Sequence, residues 1–271
     1  MALLMLYVFL PVQFSAALEP SPALPVEGLK HLTPSAVVDV TDGDTVVLAD
    51  GRVVRMVGIQ APKLPLGRKG FRKWPLADEA KAALSSMSLD MTVTPHTGGR
   101  DRDRWSRLLA HLENQDGLWL QGAMLRMGLA RVYSFADNTA LVGEMLALEA
   151  LARADGLNIW SNPFYAIRSA SGASGYENSF QLVEGVITTT ANVRGRVYLN
   201  FGEDYHTDFT ILIPPKVRRA FERAGQDLLE LEGYNVRVRG WLKEYNGPMV
   251  ELSHPEQLEV LGKAETKKDP L

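Results

Sequence analysis

Residues 36–63 read AVVDVTDGDTVVLADGRVVRMVGIQAPK, and the folding of this stretch decides what kind of domain surrounds it. Three β-branched runs are separated by Asp42-Gly43-Asp44 and by Asp50-Gly51. Val, Ile and Thr favour the pleated backbone. An Asp-Gly pair between two such runs signals a tight type I′ hairpin, because glycine takes positive φ without steric cost. The stretch therefore predicts three consecutive antiparallel strands.

Downstream, Leu76, Ala80, Ala83, Leu84 and Met87 recur at helical spacing behind the acidic pair Asp78-Glu79, which predicts an amphipathic helix. Strands near 91–94 and 108–112 flank the charged loop GGRDRDRWSR at 98–107. Helices near 118–127 and 141–154 end at Gly128 and Gly156. Strands, helix, strands, helix, helix is an α+β order, a small barrel with helices packed on it. The Ser/Gly/Ala run RSASGASG at 168–175 reads as a flexible linker, so the boundaries expected are a first domain over 35–165, a linker over 166–176 and a second domain over 177–262, with a tail at 263–271. In the second domain the strand-like runs QLVEGVITT, RVYLNF and DFTILI precede a helix opened by Pro215 and a hairpin turning at Asn246-Gly247. That is the element order of a small OB-like β-barrel.

At the other end, the apolar run within residues 1–17, MALLMLYVFLPVQFSAA, closes on Ser15-Ala16-Ala17, the small-x-small pattern of a signal-peptidase site. It falls short of the roughly 20 apolar residues of a membrane span. The expectation is a signal peptide cut after Ala17, an exported protein, periplasmic or secreted, and no membrane span after cleavage. Prolines 20, 22, 25 and 34 mark 18–34 as a leader linker without secondary structure.

The 271 residues contain no cysteine, which excludes a disulfide framework, thiolate-bound zinc and thiol catalysis. A net charge of −3 does not announce a partner rich in phosphate, yet residues 52–107 hold twelve Lys or Arg against five Asp or Glu. This basic stretch is either a solvated face or a surface for nucleic acid. Within it GRKGFRKW, at 67–74, interleaves Arg68, Lys69, Arg72 and Lys73 with aromatics, a composition suited to a single strand held by charge and stacking. In the second domain Tyr198, Phe201, Tyr205, Phe209 and Trp241, with Arg194, Arg196, Arg237 and Arg239, form either a similar platform or, for most of them, barrel filling. Histidines 31, 96, 111, 206 and 254 stand at no metal-binding spacing and receive no function.

Taken together, Asp42-Gly43-Asp44-Thr45, Arg55 to Lys63, Asp103-Arg104-Trp105-Ser106-Arg107-Leu108 and Gly156-Leu157-Asn158-Ile159-Trp160 resemble the staphylococcal nuclease (thermonuclease-like) family over about 36–162. The resemblance implies a five-stranded OB-type barrel with three helices. It also implies a metal-dependent phosphodiester hydrolase of endonuclease type, acting on single-stranded DNA or RNA with Ca2+. Position by position, Asp44 matches a metal ligand and Arg55 and Arg107 match two phosphate-binding arginines, with Arg104 beside them. Where the family carries a second metal-binding aspartate this chain has Gln60, and where it carries the glutamate proposed as base it has Lys63. An amide still offers Ca2+ an oxygen, whereas an ammonium accepts no proton near neutrality and repels a cation. Lys63 reads instead as a further phosphate-holding charge. Two functions follow from the residues: a nuclease with an altered active site, or a degenerate module that binds nucleic acid or, through the second domain, a protein partner.

Overall fold

In the computed structural model, residues 22–264 are described, apart from 205. The expected signal peptide, the first residues of the leader, Tyr205 and the end of the tail lie outside the described residues.

The first region runs β1 (Lys30–His31), β2 (Ser35–Asp42), β3 (Thr45–Leu48), β4 (Val53–Met56), β5 (Ile59–Gln60), α1 (Ala77–Ser88), β6 (Thr92–Thr97), β7 (Leu108–Asn114), α2 (Leu120–Arg126), β8 (Arg131–Val132) and α3 (Val142–Ala154). The two turns expected from the opening stretch separate β2, β3 and β4, and Gly51 takes a φ of 86° between the last two. The sheet order is β1-β6-β2-β3-β4-β7, and β6 also pairs with β7, so β6, β2, β3, β4 and β7 close into a five-stranded barrel. Closure leaves no sheet edge within those five strands. The core inside it is apolar, with Val37, Val46, Val54, Met56, Ala110 and Leu112 from the strands and Leu84, Met124 and Met145 from the helices.

Part of the leader is structured. β1 pairs with β6, Leu24 is buried in the core, and the Trp119 amide donates to the Pro22 carbonyl at 2.9 Å. The expectation of a structureless segment over 18–34 is corrected for its described part: Leu24 and Leu29 give the chain apolar surface to bury against the barrel.

The second region runs β9 (Arg168–Ser169), β10 (Ser179–Val186), β11 (Thr189–Val193), β12 (Arg196–Asn200), β13 (Thr210–Ile213), α4 (Pro215–Arg223), β14 (Tyr234–Glu244), β15 (Pro248–Glu251) and β16 (Leu258–Lys263). Its sheet order is β11-β12-β13-β15-β14-β10-β9, with β16 on β14. The segment 166–176 is largely exposed but tied down at two points: β9 pairs in parallel with β10, and Ala173 is fully buried. A serine-rich composition marks loops only on average, and here the Ser169 hydroxyl caps a turn by accepting from the Gly172 amide. Among the described residues no helix is long and apolar enough to cross a membrane.

The two regions meet across a charged and aromatic seam. Arg239 of β14, 1% exposed, donates to the buried Glu149 of α3 at 2.8 and 3.1 Å and to the Val132 carbonyl. Glu149 also accepts from the Val132 amide at 2.6 Å. Arg239 and its neighbour Arg237 both reach Glu259. Burial alone would raise the Glu149 carboxyl, but the Arg239 guanidinium and its hydrogen bonds hold it low.

Candidate nucleic-acid site

The turn between β2 and β3 approaches α1 so closely that a Cβ on Gly43 would lie 2.7 Å from that of Ala61 and 2.8 Å from that of Ala80. Only glycine fits there, and the turn it permits drives Asp44 into the barrel wall, where it is fully buried. A carboxylate without water must be paired. One oxygen accepts the Ala61 amide at 2.8 Å and lies 3.3 Å from the Arg55 guanidinium, and the Lys63 ammonium sits 2.5 and 2.6 Å from the two oxygens. Burial pushes Asp44 up, but Arg55 and Lys63 outweigh it and hold the carboxyl well below the usual range. Asp42, 3.3 Å from the same ammonium, goes the other way: its own burial and the charge on Asp44 raise it.

Arg55 is likewise drawn inward, donating to the carbonyls of Asp44, Met56 and Ile59. Arg107 is fixed from the side by Asp103, which takes its Nε at 2.8 Å and a terminal nitrogen at 2.7 Å. The same Asp103 accepts the amides of Trp105 and Arg107, so one carboxylate builds the loop and aims the arginine. These bonds hold Asp103 below the usual range although partial burial opposes them.

Arg55 and Arg107 line one groove of about 450 Å3, together with Arg100, Arg104, Trp105, Tyr133 and Phe135 among others. Arg104 stacks 4.0 Å over the exposed Trp105 ring, with Arg107 at 5.2 Å. The arrangement sets guanidinium charge for phosphate oxygens beside aromatic faces for bases, with the terminal nitrogens of Arg55 turned to backbone carbonyls and Asp44 and one fork of Arg107 taken by Asp103. Of the residues singled out in the sequence, Arg55, Arg104 and Arg107 converge here. Lys63 and Asp44 stand behind Arg55 and do not line the groove. Arg68, Lys69, Arg72 and Lys73 do not line it either: Arg68 folds back on the carbonyls of Leu64 and Pro65 and over Phe71, and Lys73 pairs with Asp78. Gln60 is turned away by Arg131, whose Nε and terminal nitrogen donate to its amide oxygen at 3.0 and 2.8 Å. Tyr133 and Phe135 were not among the sequence candidates, since the short β8 that delivers them carries no periodic signal.

The family model described as staphylococcal nuclease homologue matches residues 53–162. An Escherichia coli protein named "Uncharacterized endonuclease" is 32% identical over 129 residues, which is 46% of this chain and 76% of that protein. "Endonuclease YncB" of Bacillus subtilis is 31% identical over 132 residues, covering 46% of this chain and 60% of its own length. The chain belongs to the staphylococcal nuclease homologue family. The family match ends at 162, before β9 begins.

This family is generally calcium-dependent, so the site is tested against Ca2+. That ion takes six to eight oxygen ligands, largely carboxylate. Here both oxygens of Asp44 face an ammonium, the oxygen of Gln60 faces a guanidinium, and among the described residues no three His, Cys, Asp or Glu side chains are grouped to hold a metal. The donor set does not fit calcium; the place beside Asp44 already has a fixed cation, the ε-ammonium of Lys63.

Proposed function

We propose that this member of the nuclease family acts on nucleic acid by taking a phosphodiester into the groove between Arg55 and Arg107, with neighbouring bases on Trp105, Tyr133 and Phe135. The observation that carries this reading is the convergence of four arginines and three aromatic rings on one groove, with Asp103 pre-aiming Arg107. Arginine forks match phosphate geometry in two bonds at once, and every base has a face to stack, so the groove suits single-stranded DNA or RNA without sequence preference.

What happens to the bound phosphodiester divides into two readings. The geometry favours holding it without calcium-supported cutting. Lys63 neutralises Asp44, and no carboxylate stands where the family places its base. Hydrolysis with an altered active site is the second reading, supported by family membership and by relatives named endonucleases. In either case Arg107 supplies charge toward the phosphate oxygens while Lys63 keeps the Asp44 charge from repelling the anion.

The test is labelled single-stranded DNA and RNA incubated with purified protein, in calcium and in chelator. Binding should be equal in both conditions, weaken at least tenfold in Arg107→Ala, and lessen with rising salt. Calcium-stimulated cutting that vanishes in Arg107→Ala would establish the second reading instead. Absence of binding in every condition would refute both.

A further inference from the structure

Trp241 sits on β14 of the second region with half its surface, 51%, exposed, and its indole N–H donates to the Tyr133 hydroxyl at 3.0 Å. That bond crosses from the second region to the wall of the groove, for Tyr133 is one of the groove's lining residues. The Tyr133 ring meets Phe135 edge-on at 4.9 Å and Phe180 at 4.6 Å, and Phe180 stands directly opposite Trp241 across the β10–β14 pair. Phe135, 49% exposed in the groove, is thus linked through the half-buried Tyr133 to Trp241, and Trp105, 61% exposed, lines the same groove.

Alternation along β14 carries the row further. Lys243 follows Trp241 two residues on and so projects from the same side of the strand, and Tyr245, in the turn that joins β14 to β15, is 67% exposed. Large rings left in water are informative when they are contiguous. The charge at the end that opens into the groove decides their partner: four arginines, Arg55, Arg100, Arg104 and Arg107, line it against two aspartates, Asp103 and Asp137, so positive charge is in excess. A basic channel continued by ring faces is the chemistry of a single nucleic-acid strand, whose phosphates need cations and whose bases need flat apolar surfaces.

We propose that the second region carries an extended nucleic-acid subsite, in which one strand anchored by its phosphate at Arg55 and Arg107 passes Phe135 and Tyr133 and stacks a base on Trp241, with Tyr245 beyond it. This rests on the nucleic-acid reading of the groove. It assigns the second region a role the family match does not reach, that of lengthening the bound strand.

The test compares fluorescence polarisation of labelled oligothymidylates of about 3 and 15 nucleotides in chelator. Stacking on one ring is worth about 1–3 kcal/mol by alanine substitution, so Trp241→Ala should weaken the longer oligonucleotide about fivefold or more and leave the shorter one unchanged. Trp241→Phe should retain most of the affinity, and Tyr245→Ala, at an exposed position, should give a smaller loss that is again confined to the longer strand. Arg107→Ala should weaken both lengths. Equal affinity of Trp241→Ala and the unmodified protein for the longer strand overturns the subsite while the Arg107 result keeps the groove. Equal losses at both lengths also overturn it, since Trp241 would then act only by holding Tyr133. If the unmodified protein binds neither length, the groove reading fails and the subsite with it.

Discussion

The two β-regions share a strand order and differ in what they place at one turn. In the first, β2, β3, β4, β7 and β6 follow one another around the barrel; in the second, β11, β12, β13, β15 and β14 follow in the same sense, with β10 leading directly into β11. Within these five-strand orders each has a parallel pair at the same place, β4 with β7 and β13 with β15, and a helix follows the first strand of that pair before the chain returns to the sheet. At the first hairpin the first barrel has Asp42-Gly43-Asp44-Thr45 buried against α1, whereas the second has Val193-Arg194-Gly195-Arg196 turning in solvent with φ of 52° and 80° at its centre. A shared scaffold thus carries a buried charged centre in one copy and an ordinary turn in the other. The function proposed for the first region therefore rests on a turn and a few strand-end side chains rather than on the fold.

The second region instead spends its buried charge on the seam, and this sets the largest effect expected. Glu149→Ala leaves Arg239 buried with only Glu259 as acidic partner and takes the acceptor from the Val132 amide, so the loss should fall near the lower end of the about 3–5 kcal/mol that an uncompensated buried charge costs. Urea denaturation should show that loss, and adding Arg239→Met should recover part of it, because an apolar side chain of similar length tolerates burial. A loss below about 1 kcal/mol would mean that the two barrels stand independently and that the seam contributes little.

Lys63→Met tests the buried centre of the first barrel. Asp44 keeps Arg55 and the Ala61 amide but loses its closest cation, at a cost of about 2 kcal/mol at neutral pH. The sign with pH is fixed by the direction of the shift. Asp44 lies below its ordinary value when folded, so its contribution is present above that ordinary value and is lost as pH falls through the folded value. Without Lys63 the folded value moves upward, and the acid limb of a stability–pH curve should move to higher pH. An unchanged limb would show that Arg55 alone sets the Asp44 charge.

What was legible in the sequence was what is local. The hairpins at Asp50-Gly51 and Asn246-Gly247 and the helices α1, α3 and α4 are written in neighbouring residues, and they stand where the pattern puts them. Arg55 and Arg107 were legible because the family motif fixes their positions. The capture of Gln60 by Arg131, 71 residues away across the β5–β8 pair, and the seating of Tyr133 by Trp241, 108 residues away across the two regions, depend on long-range packing, which no local pattern encodes. Segment 166–176 shows the same limit on a smaller scale: its small residues suit a linker, and the pairing of β9 with β10 and the burial of Ala173 are contacts that its composition does not announce.

The smallest effect concerns His111, on β7 of the first barrel. Burial holds its imidazole down to about 4, although a backbone hydrogen bond with Ala140 opposes this, and the nearby His96 pushes in the same direction. His96 is itself lowered by burial against the pull of Glu113, so no full charge of opposite sign compensates a proton on His111. A base whose folded pKa lies below its unfolded value of about 6.5 leaves the unfolded chain binding more protons between the two. Stability is therefore full above about 6.5 and declines as pH falls toward 4. At pH 5.5 the expected loss is about 1.2 kcal/mol relative to pH 7. Urea midpoints of the unmodified protein and of His111→Gln, each measured at pH 7 and 5.5, isolate this contribution as a difference in slope, whatever the substitution costs at neutral pH. Amide exchange sharpens the contrast between regions: protection in β7 should fall over this range more than protection in β12, which lies in the barrel without a buried histidine on its strands. Equal slopes in the two proteins would remove His111 as the origin of mild-acid sensitivity.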